Sequence, residues 1–271
     1  MEDIIRFSIL ASGSKGNACY VETHRTRLLI DAGLSCRELE RRLTAVGASP
    51  DRLHAIVLTH EHSDHIRGAG PLARRYGVPL ITNSPTFESG RRILGSLPDL
   101  RLIQTGDSLT VEDLRIETFT KCHDAADPMG IVFASNGIKV GLATDLGRST
   151  RLAEERLKAC HALILEFNYD PDMLDGGPYP LHIKRRIKGP EGHLSNDQGG
   201  DLLGTLSHAG LELVVLAHLS ETNNHPEKAL ESADRVLQTG GIEKPHILIG
   251  SQHTPGPMVG LHPYRPNPTL S

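Results

Sequence analysis

The sequence contains no tryptophan and few other aromatic residues, with five phenylalanines and five tyrosines among 271 residues. Proteins that bind single-stranded nucleic acid without sequence preference stack the bases on aromatic side chains, so this composition argues against an extended base-stacking platform. Basic residues are not in excess either, because 29 Lys and Arg stand against 33 Asp and Glu, giving a net charge of −4. Any nucleic acid partner must therefore meet a local basic patch.

Cysteine and long apolar stretches are also scarce. The four cysteines are Cys19, Cys36, Cys122 and Cys160, and no two of them form a Cys-x-x-Cys pair. The sequence shows neither a signal peptide nor an apolar span of about 20 residues, the length that crosses a bilayer as a helix. We therefore expect reduced thiols, a cytoplasmic location and no association with a membrane.

Apolar runs of strand and helix length alternate along the chain, and neither a repeat nor a linker interrupts them. We predict one α/β domain over residues 1–250, and a tail over residues 251–271 whose five prolines and lack of periodicity favour a loose or surface-wrapping segment. The predicted strands lie near residues 4–10, 18–23, 27–31, 55–59, 79–82, 100–104, 114–120, 130–135, 138–144, 161–166, 212–217 and 245–249. The predicted helices lie near residues 36–46, 67–76, 85–94, 149–159, 196–208 and 226–239.

The most informative feature is the pattern His60-x-His62-x-Asp64-His65, which directly follows the apolar run 55–59. Imidazole and carboxylate ligands together suit zinc, manganese or iron. Four adjacent ligands cannot all converge on one ion, so we predict that His60 and His62 bind one ion and Asp64 and His65 a second. Two ions about 3.5–4 Å apart can activate water and stabilise the charge that develops in a displacement reaction.

Three further candidate ligands stand where predicted strands end. Asp145 and His218 directly follow apolar runs, and His123 comes three residues after another. The carboxyl ends of strands are where α/β proteins place their chemistry, so we expect these side chains to meet the histidine cluster. Asp145 is the best candidate to bridge both ions.

These seven residues, in this order, resemble the ligand set of metallo-β-lactamase-fold hydrolases. The chain is especially similar to the YycJ/WalJ-type members, which themselves resemble ribonuclease Z and phosphodiesterases. The segments that carry this similarity are residues 12–17, 59–65, 123–128, 143–147, 192–196 and 216–220. The resemblance implies a four-layer αβ/βα sandwich with two divalent ions, Zn or Mn with Fe as an alternative, at one edge of two sheets. It also implies a nuclease, specifically a 5′-to-3′ exonuclease acting on double-stranded DNA.

Candidate substrate-binding residues fall into two segments. A basic run within the long segment 168–195 either holds backbone phosphates or forms a solvated charged loop. A glycine-rich turn at residues 12–17 joins two predicted strands and is therefore not a phosphate loop of the nucleotide-binding kind; it either reaches a substrate oxygen or is only a tight turn. The residues assigned to substrate binding are Ser14, Asn17, Lys184, Arg185, Arg186 and Lys188.

The predicted catalytic residues are His193 and Asp64. His193 stands just before Ser195, a reasonable helix N-cap, and is available to protonate the leaving oxygen once the seven ligands are assigned. Substrate binding and a purely structural hydrogen bond are the alternatives for this histidine. Asp64 is assigned both as a ligand and to the reaction, in which activated water attacks a backbone phosphorus in line.

Two other functions remain open from the sequence alone. The same ions could polarise a carbonyl for hydrolysis of a carboxylic ester, thioester or lactone, although the basic run argues weakly against this. A non-catalytic, nucleic-acid-binding regulator is the second, but such a protein gains little from seven metal ligands. An iron-flavoprotein oxidoreductase is less favoured, because its relatives resemble His-x-Glu-x-Asp and His62 occupies the Glu place. The oligomeric state is left open.

Overall fold

The computed structural model describes residues 5–239 and 244–262, and in this part of the chain fourteen strands form two sheets. In chain order the strands are β1 (Ile5–Ala11), β2 (Ala18–Glu22), β3 (Arg27–Ile30), β4 (Ala55–Val57), β5 (Leu80–Asn83), β6 (Leu100–Ile103), β7 (Ser108–Val111), β8 (Leu114–Thr120), β9 (Met129–Ser135), β10 (Ile138–Ala143), β11 (Ala162–Glu166), β12 (Leu213–Ala217), β13 (His246–Ile249) and β14 (Val259–Leu261). The helices are α1 (Cys36–Ala45), α2 (Ser63–Ile66), α3 (Ala69–Tyr76), α4 (Ser84–Leu94), α5 (Arg151–Leu157), α6 (Pro171–Gly176), α7 (Leu181–Lys188), α8 (Asn196–Leu206) and α9 (Pro226–Thr239), with a 3₁₀ turn at Pro50–Arg52.

The two sheets have matching topologies. The first has the order β14-β1-β2-β3-β4-β5-β6 and the second the order β13-β12-β11-β10-β9-β8-β7. Strands β1 to β3 are antiparallel and β3 to β6 are parallel, while β7 to β10 are antiparallel and β10 to β13 are parallel. In the first sheet β1, β3, β4 and β5 therefore run the same way, as do β8, β10, β11 and β12 in the second. Each sheet thus collects several carboxyl ends at one edge.

The central strands β4, β5, β11 and β12 are buried on both faces, which explains why their sequences read as largely apolar runs. In β12 the side chains of Leu213, Val215 and Ala217 belong to the cluster between the two sheets. The alternate residues Val214 and Leu216 pack instead against the helices that cover the second sheet. This period-two alternation is what a strand sandwiched between a sheet and a helix layer requires.

The helices form the two outer layers of the molecule. Helices α1, α3 and α4 pack through residues such as Leu39 and Leu72 on the outer face of the first sheet. Helices α5, α8 and α9 pack through residues such as Leu157 and Leu203 on the second sheet. The order helix, sheet, sheet, helix is the four-layer αβ/βα sandwich predicted from the sequence, and that prediction is confirmed.

Several short elements are not predicted from the sequence. Strand β7 and helices α2 and α6 are only four to six residues long, too short for a periodic apolar pattern to stand out. Helix α7 is longer but buries none of its side chains, so the expected charged loop is in fact an exposed basic helix. Residue 4 of the first predicted strand lies outside the described residues.

The segment predicted to be a tail is partly built into the fold. Strand β14 pairs antiparallel with β1, with Ile5 opposite Leu261, and forms an edge of the first sheet. No strand is predicted there, because three residues are too few to show alternation among the surrounding prolines and glycines. The domain boundary at residue 250 stays a prediction, and residues 263–271 lie outside the described part.

Among the described residues, no helix is long and apolar enough to cross a membrane. All four cysteines are free thiols. Burial raises the pKa of Cys160 to about 12 and that of Cys19 further, with the nearby carboxylates of Glu117 and Asp31 acting in the same direction. Buried thiols with raised pKa values are unreactive, so these two cysteines serve as small core residues.

Candidate metal centre

The seven predicted ligands converge at the edge where the carboxyl ends of both sheets meet. His60 stands three residues after β4, and Asp145 and His218 follow β10 and β12 within two residues. Asp64 and His65 lie on the short helix α2. The two sheets are joined here by hydrogen bonds from Met129 N to Thr59 O, 3.0 Å, and from His218 N to Ser12 Oγ, 2.7 Å. Ligands from distant parts of the chain are thereby brought into one site.

The ligand atoms fall into two groups. In the first, ligand atoms of His60, His62 and His123 all lie within 4.8 Å of one another, and in the second the same holds for Asp64, His65, Asp145 and His218. These groups contain the two pairs predicted from spacing, with His123 added to the first. Asp145 lies between them, because its Oδ2 is 3.2 Å from His65 Nε2 and its Oδ1 is 3.8 Å from His123 Nε2.

Three of these ligand atoms are buried without any hydrogen-bond partner among the described residues: His60 Nε2, Asp145 Oδ2 and His218 Nε2. Burying polar atoms unpaired costs about 1–3 kcal/mol each, so such atoms call for an explanation. All three belong to residue types that bind divalent transition metals, and all three point into the same cluster. The residues present therefore fit a metal centre.

Each of the five candidate histidine ligands keeps one ring nitrogen for the cluster and engages the other with an outer partner. The outer partners are Thr59 Oγ1 for His60 (2.9 Å), Asp124 O for His62 (3.1 Å), Asp31 Oδ2 for His65 (2.8 Å), Gly192 O for His123 (3.1 Å) and Glu166 Oε1 for His218 (2.8 Å). Such outer contacts fix the tautomer and orientation of a metal-binding imidazole. This pattern is typical of metal sites and would be unusual for a surface loop rich in histidine.

Asp31 is a positioning residue that the sequence analysis misses. Its two carboxylate oxygens accept hydrogen bonds from the backbone N and the Oγ1 of Thr59, both at 2.8 Å, and Oδ2 also contacts His65. Asp31 therefore links the end of β3 to both ligand groups. The signal was present, because the run Leu28-Leu29-Ile30 ends directly at this carboxylate, as other predicted strands end at ligands.

Glu166 is the second positioning residue that the sequence analysis misses. Its Oε1 lies 2.8 Å from both His218 Nδ1 and His193 Nδ1, and its Oε2 accepts from the backbone N of Leu146 at 2.7 Å. Burial would raise the pKa of Glu166, but the imidazoles of His193 and His218 outweigh burial and hold it at about 2. A fully buried carboxylate thus connects a candidate ligand to the candidate general acid.

Carboxylates raise the pKa of His65 and His218 in this cluster, whereas burial lowers the pKa of His60 and His123. Burial disfavours the charged form of His218, but the carboxylates of Asp145 and Glu166 outweigh it and raise the pKa to about 9. Burial also disfavours the charged form of His65, but the carboxylates of Asp145 and Asp31 outweigh it and raise the pKa of His65 well above its usual value. Burial lowers the pKa of His123 to about 4 and that of His60 well below its usual value. A cation-binding site requires this kind of electrostatic environment.

Backbone strain also concentrates at this edge. Asp31, Asp145 and His218 have φ values of 58°, 54° and 56°, in the left-handed region that non-glycine residues seldom adopt. Each stands within two residues of the end of a strand, and each side chain contacts the cluster. Strain of about 1–3 kcal/mol per residue persists where the surroundings enforce it, and functional sites are the usual place.

The glycine-rich turn at residues 12–17 packs directly on the second ligand group. Asn17 is buried, and its Nδ2 lies 3.1 Å from Asp64 Oδ2 and 3.0 Å from His65 Nε2. Its Oδ1 accepts a hydrogen bond from Gly13 N at 2.9 Å, so the turn holds the amide in place. Asn17 therefore supports Asp64, whereas Ser14 is exposed and lines the pocket over the metal cluster. The substrate contacts predicted for both residues stay predictions.

The basic helix α7 borders the same pocket. Arg186 reaches across to Asp124, with its Nε 2.7 Å from Oδ2, and both side chains line the pocket. Lys184 and Lys188 bind the backbone oxygen and the carboxylate of Asp175. The side chain of Arg185 is exposed, and no hydrogen bond or ion pair links it to another described residue. The pocket has a volume of about 170 Å³ and is lined by Ser14, His62, Asp64, His123, Asp124, Asp145, Arg186, His193 and His218.

Comparison with known proteins adds independent findings. Residues 26–219 match the β-lactamase superfamily domain. The chain is 38% identical over 240 residues to the exodeoxyribonuclease YycJ of Bacillus anthracis, covering 88% of this chain and 91% of that protein. It is 37% identical over 229 residues to the exodeoxyribonuclease WalJ of Streptococcus pneumoniae, covering 83% and 85%. The crystal structure of the metallo-β-lactamase-fold protein YhfI of Bacillus subtilis superposes with a TM-score of 0.74 at 16% identity, over 96% of this chain and 100% of that chain.

Proposed function

The chain belongs to the β-lactamase superfamily of metal-dependent hydrolases, and from this membership we propose that it hydrolyses phosphodiester bonds in nucleic acid. The superfamily expected from the sequence is confirmed. The finer proposal is a 5′-to-3′ exonuclease that acts on double-stranded DNA. It is supported by two relatives that this chain matches over most of their length and that are named exodeoxyribonucleases.

The observation that carries the proposal is the convergence of buried ligand atoms without hydrogen-bond partners beside a pocket that the basic helix α7 borders. His60 Nε2, Asp145 Oδ2 and His218 Nε2 supply ligands for divalent ions, and Arg186 stands at the pocket wall. A phosphodiester is an anion whose hydrolysis develops further negative charge. Metal ions and a neighbouring guanidinium stabilise this negative charge. An uncharged ester or lactone would gain less from them.

We propose two divalent ions, Zn or Mn with Fe as the alternative. His60, His62 and His123 would hold one ion, Asp64, His65 and His218 the other, and Asp145 would contact both. When bound, the ions lower the pKa of water and act as Lewis acids on phosphoryl oxygens. Asp31, Glu166 and Asn17 orient these ligands through the hydrogen bonds described above.

His193 is proposed as the general acid. Its Nδ1 is held by Glu166, so its Nε2 is the nitrogen available to donate a proton to the leaving oxygen. The buried carboxylate of Glu166 pairs favourably with the protonated imidazole and fixes the orientation of the ring. Asp64 orients the attacking water in this scheme, and Asn17 holds its carboxylate.

The substrate is proposed to lie across the pocket with its backbone between Ser14 and helix α7. In this proposal Arg186, which lines the pocket, contacts a phosphate near the scissile bond, and Lys184, Arg185 and Lys188 contact phosphates along the helix. Helix α7 buries no side chain, so its charges are accessible to a large polyanion. Neutralising phosphates with these residues releases counterions, which makes binding depend on salt.

Cleavage of end-labelled nucleic acids tests the proposal. The protein is stripped of metal, reloaded with Mn²⁺ or Zn²⁺, and incubated with single- and double-stranded DNA and RNA labelled at either end. We expect the 5′ label to leave duplex DNA as a mononucleotide before the 3′ label is released, and Asp145→Ala to be inactive. Hydrolysis of thioesters or lactones by a protein that cleaves none of these nucleic acids would overturn the proposal.

A further inference from the structure

A second cavity of about 340 Å³ lies at the same edge of the sheets, beside the metal cluster. It opens where β1, β12 and β13 end and where α9 begins. Its lining residues are Ser12, Leu219, Ser220, Glu221, Asn224, His225, Pro226, Ile249, Gly250, Ser251, Gln252 and His253. In α/β proteins, ligands bind in crevices outside the carboxyl ends of strands, so its location is that of a binding site.

The cavity adjoins the metal cluster through shared structural elements. Ser12 lines the cavity, and its Oγ accepts a hydrogen bond from the backbone N of the candidate ligand His218 at 2.7 Å. Leu219 and Ser220, the residues directly after His218, form part of the wall. Lys15, which follows Ser14 of the metal pocket, forms an ion pair of 2.7 Å with Glu221 of the cavity. The cavity and the metal pocket are therefore neighbours along the same edge of the sheets.

The charged groups of this cavity are already paired within the protein. Glu221 is paired with Lys15 and with His253, so its carboxylate is neutralised where it stands. A free phosphate in the cavity would lie near that carboxylate, and the lining contains no lysine or arginine to bind it. The cavity is therefore better suited to a neutral ligand than to an anion.

The uncharged part of the lining combines flat apolar walls with hydrogen-bond donors. Leu219, Pro226 and Ile249 supply the apolar surface, and Ile249 is 37% exposed. The Ser220 hydroxyl accepts hydrogen bonds from the backbone N–H groups of Thr222 and Asn223 and donates to no described residue, so its proton is free for a carbonyl or sugar oxygen of a ligand. The Ser251 hydroxyl contacts the Thr254 hydroxyl at 3.1 Å. An apolar face with hydrogen-bonding edges is the chemistry of a nucleobase and its sugar.

We propose that this cavity binds the terminal nucleoside of the strand whose phosphodiester lies at the metal cluster. The inference rests on the proposed function, since it names where the nucleoside next to the scissile phosphate is held. It assigns recognition of the base and sugar to residues around Ile249, apart from the residues that bind metal. It also explains how a chain with no tryptophan contacts a base, through one pocket instead of a stacking platform.

Product inhibition tests the proposal while metal chemistry is monitored separately. Hydrolysis of bis(p-nitrophenyl) phosphate is followed in the presence of thymidine 5′-monophosphate, deoxyribose 5-phosphate or inorganic phosphate. In the unaltered protein, we expect the nucleotide to inhibit at least about tenfold more tightly than the other two, because burial of the base against apolar side chains contributes about that much to affinity. Ile249→Trp fills the cavity, so the inhibition constants of the nucleotide and of inorganic phosphate should become nearly equal, with a ratio near one. The control is Ile93→Trp, the same change at another exposed isoleucine (43%) on α4, which should leave the ratio unchanged.

An unchanged inhibition ratio in Ile249→Trp, or equal inhibition by nucleotide and phosphate in the unaltered protein, would overturn the proposal. Calorimetric titration with thymidine separates this failure from failure of the proposed function, because it requires no catalysis. If neither DNA nor the chromogenic diester is hydrolysed, the proposed function fails. The nucleoside site then stands if thymidine binds the unaltered protein and not Ile249→Trp, and falls if thymidine does not bind.

Discussion

At the scale of single residues, Asp145 has a unique place among the candidate ligands of the described chain. Its Oδ1 lies 3.5 Å from His218 Nε2 and 3.8 Å from His123 Nε2, and its Oδ2 lies 3.2 Å from His65 Nε2. It therefore contacts members of both ligand groups, and its φ of 54° turns the carboxylate between them. His65 belongs to one group, and its outer ring nitrogen contacts Asp31.

From this geometry we predict that Asp145→Ala weakens the binding of both ions, whereas His65→Ala mainly weakens one. The measurement is metal content by elemental analysis after dialysis against a weak chelator, with circular dichroism to confirm folding. Retention of two ions per chain by Asp145→Ala would contradict the bridging assignment. A loss of both ions in His65→Ala would show that the two sites are coupled through more than Asp145.

A second residue-scale prediction separates chemistry from binding at His193. A general acid contributes roughly 10²–10⁴-fold to the rate and little to substrate affinity. His193→Ala should therefore retain metal and bind DNA normally, while single-turnover cleavage slows by about that factor. The deficit should shrink for a diester with a better leaving group, which needs less protonation. An equal deficit for good and poor leaving groups would instead mean that His193 positions the phosphate.

Loss of metal from His193→Ala would point to a different ligand set. His193, Asp145, Glu166 and His218 also have ligand atoms within 4.8 Å of one another. In that case His193 would take a place assigned to His123 or His218. Glu166→Gln is the variant to compare with His193→Ala. It removes the carboxylate charge that pairs with His193 and keeps the shape of the Glu166 side chain.

How far residues could be assigned from the sequence depends on what each one contacts. The seven candidate ligands stood out because histidine or aspartate at a strand end has few structural reasons to be there. Asp31 and Glu166 follow the same rule at the ends of β3 and β11, yet single carboxylates are too common for spacing to select them. Their importance comes from contacts with His65 and His218, which are 34 and 52 residues away in sequence. Only the tertiary structure shows such contacts.

At the scale of secondary structure elements, helix α7 presents its charge to solvent and to the pocket. Its ion pairs are exposed, with side chains of Arg186 and Lys188 that are 63% and 39% accessible. Exposed pairs of this kind contribute only about 0–1 kcal/mol, so phosphates can compete for these cations. The helix was missed from the sequence because it has no buried face, and periodicity reports only helices that bury one.

We predict that replacing Lys184, Arg185, Arg186 and Lys188 by alanine weakens DNA binding and flattens its salt dependence. The slope of log K against log salt concentration, about −0.9 for each duplex phosphate contact, should become less negative by about 0.9 for each contact that is lost, as measured by fluorescence anisotropy over a salt series. Arg91→Ala/Arg92→Ala on α4 is the control, because these arginines are exposed and distant in sequence from the pocket. Hydrolysis of bis(p-nitrophenyl) phosphate should persist in both variants. An identical salt slope in the fourfold variant would assign α7 to the solvated surface.

At the scale of the whole molecule, the segment after residue 250 connects the edge of the first sheet to the metal site. Gln252 is buried, accepts a hydrogen bond from Lys15 N at 2.8 Å and donates to Gly16 O at 2.9 Å. It therefore holds the turn that carries Asn17 against Asp64. The guanidinium of Arg42, also buried, donates to the carbonyl oxygens of Gln252 and His253 at 3.0 and 3.1 Å.

The predicted domain boundary at residue 250 can be tested against these contacts. A chain that ends at Gly250 loses β14, the contacts of Gln252 with the turn, and two acceptors of the buried Arg42 charge. Arg42 keeps its ion pair with Glu38 and its hydrogen bond to Leu10 O, and a buried donor left without an acceptor costs about 1–3 kcal/mol, so we predict that the free energy of unfolding falls by a few kcal/mol. We also predict weaker metal binding, because Asn17 is no longer held against Asp64 and His65. Urea unfolding and metal analysis measure the two effects.

A chain that ends at residue 262 is the matched control, since it keeps every contact named here and should unfold like the full chain. Gln252→Ala isolates the link to the site, because it keeps β14 and the carbonyl oxygen that Arg42 binds. This variant should lower metal affinity with only a modest change in stability. If the chain ending at Gly250 unfolds and binds metal like the full chain, residues 1–250 are a complete domain. The contacts of Gln252 and Arg42 would then contribute little to the fold or to the metal site.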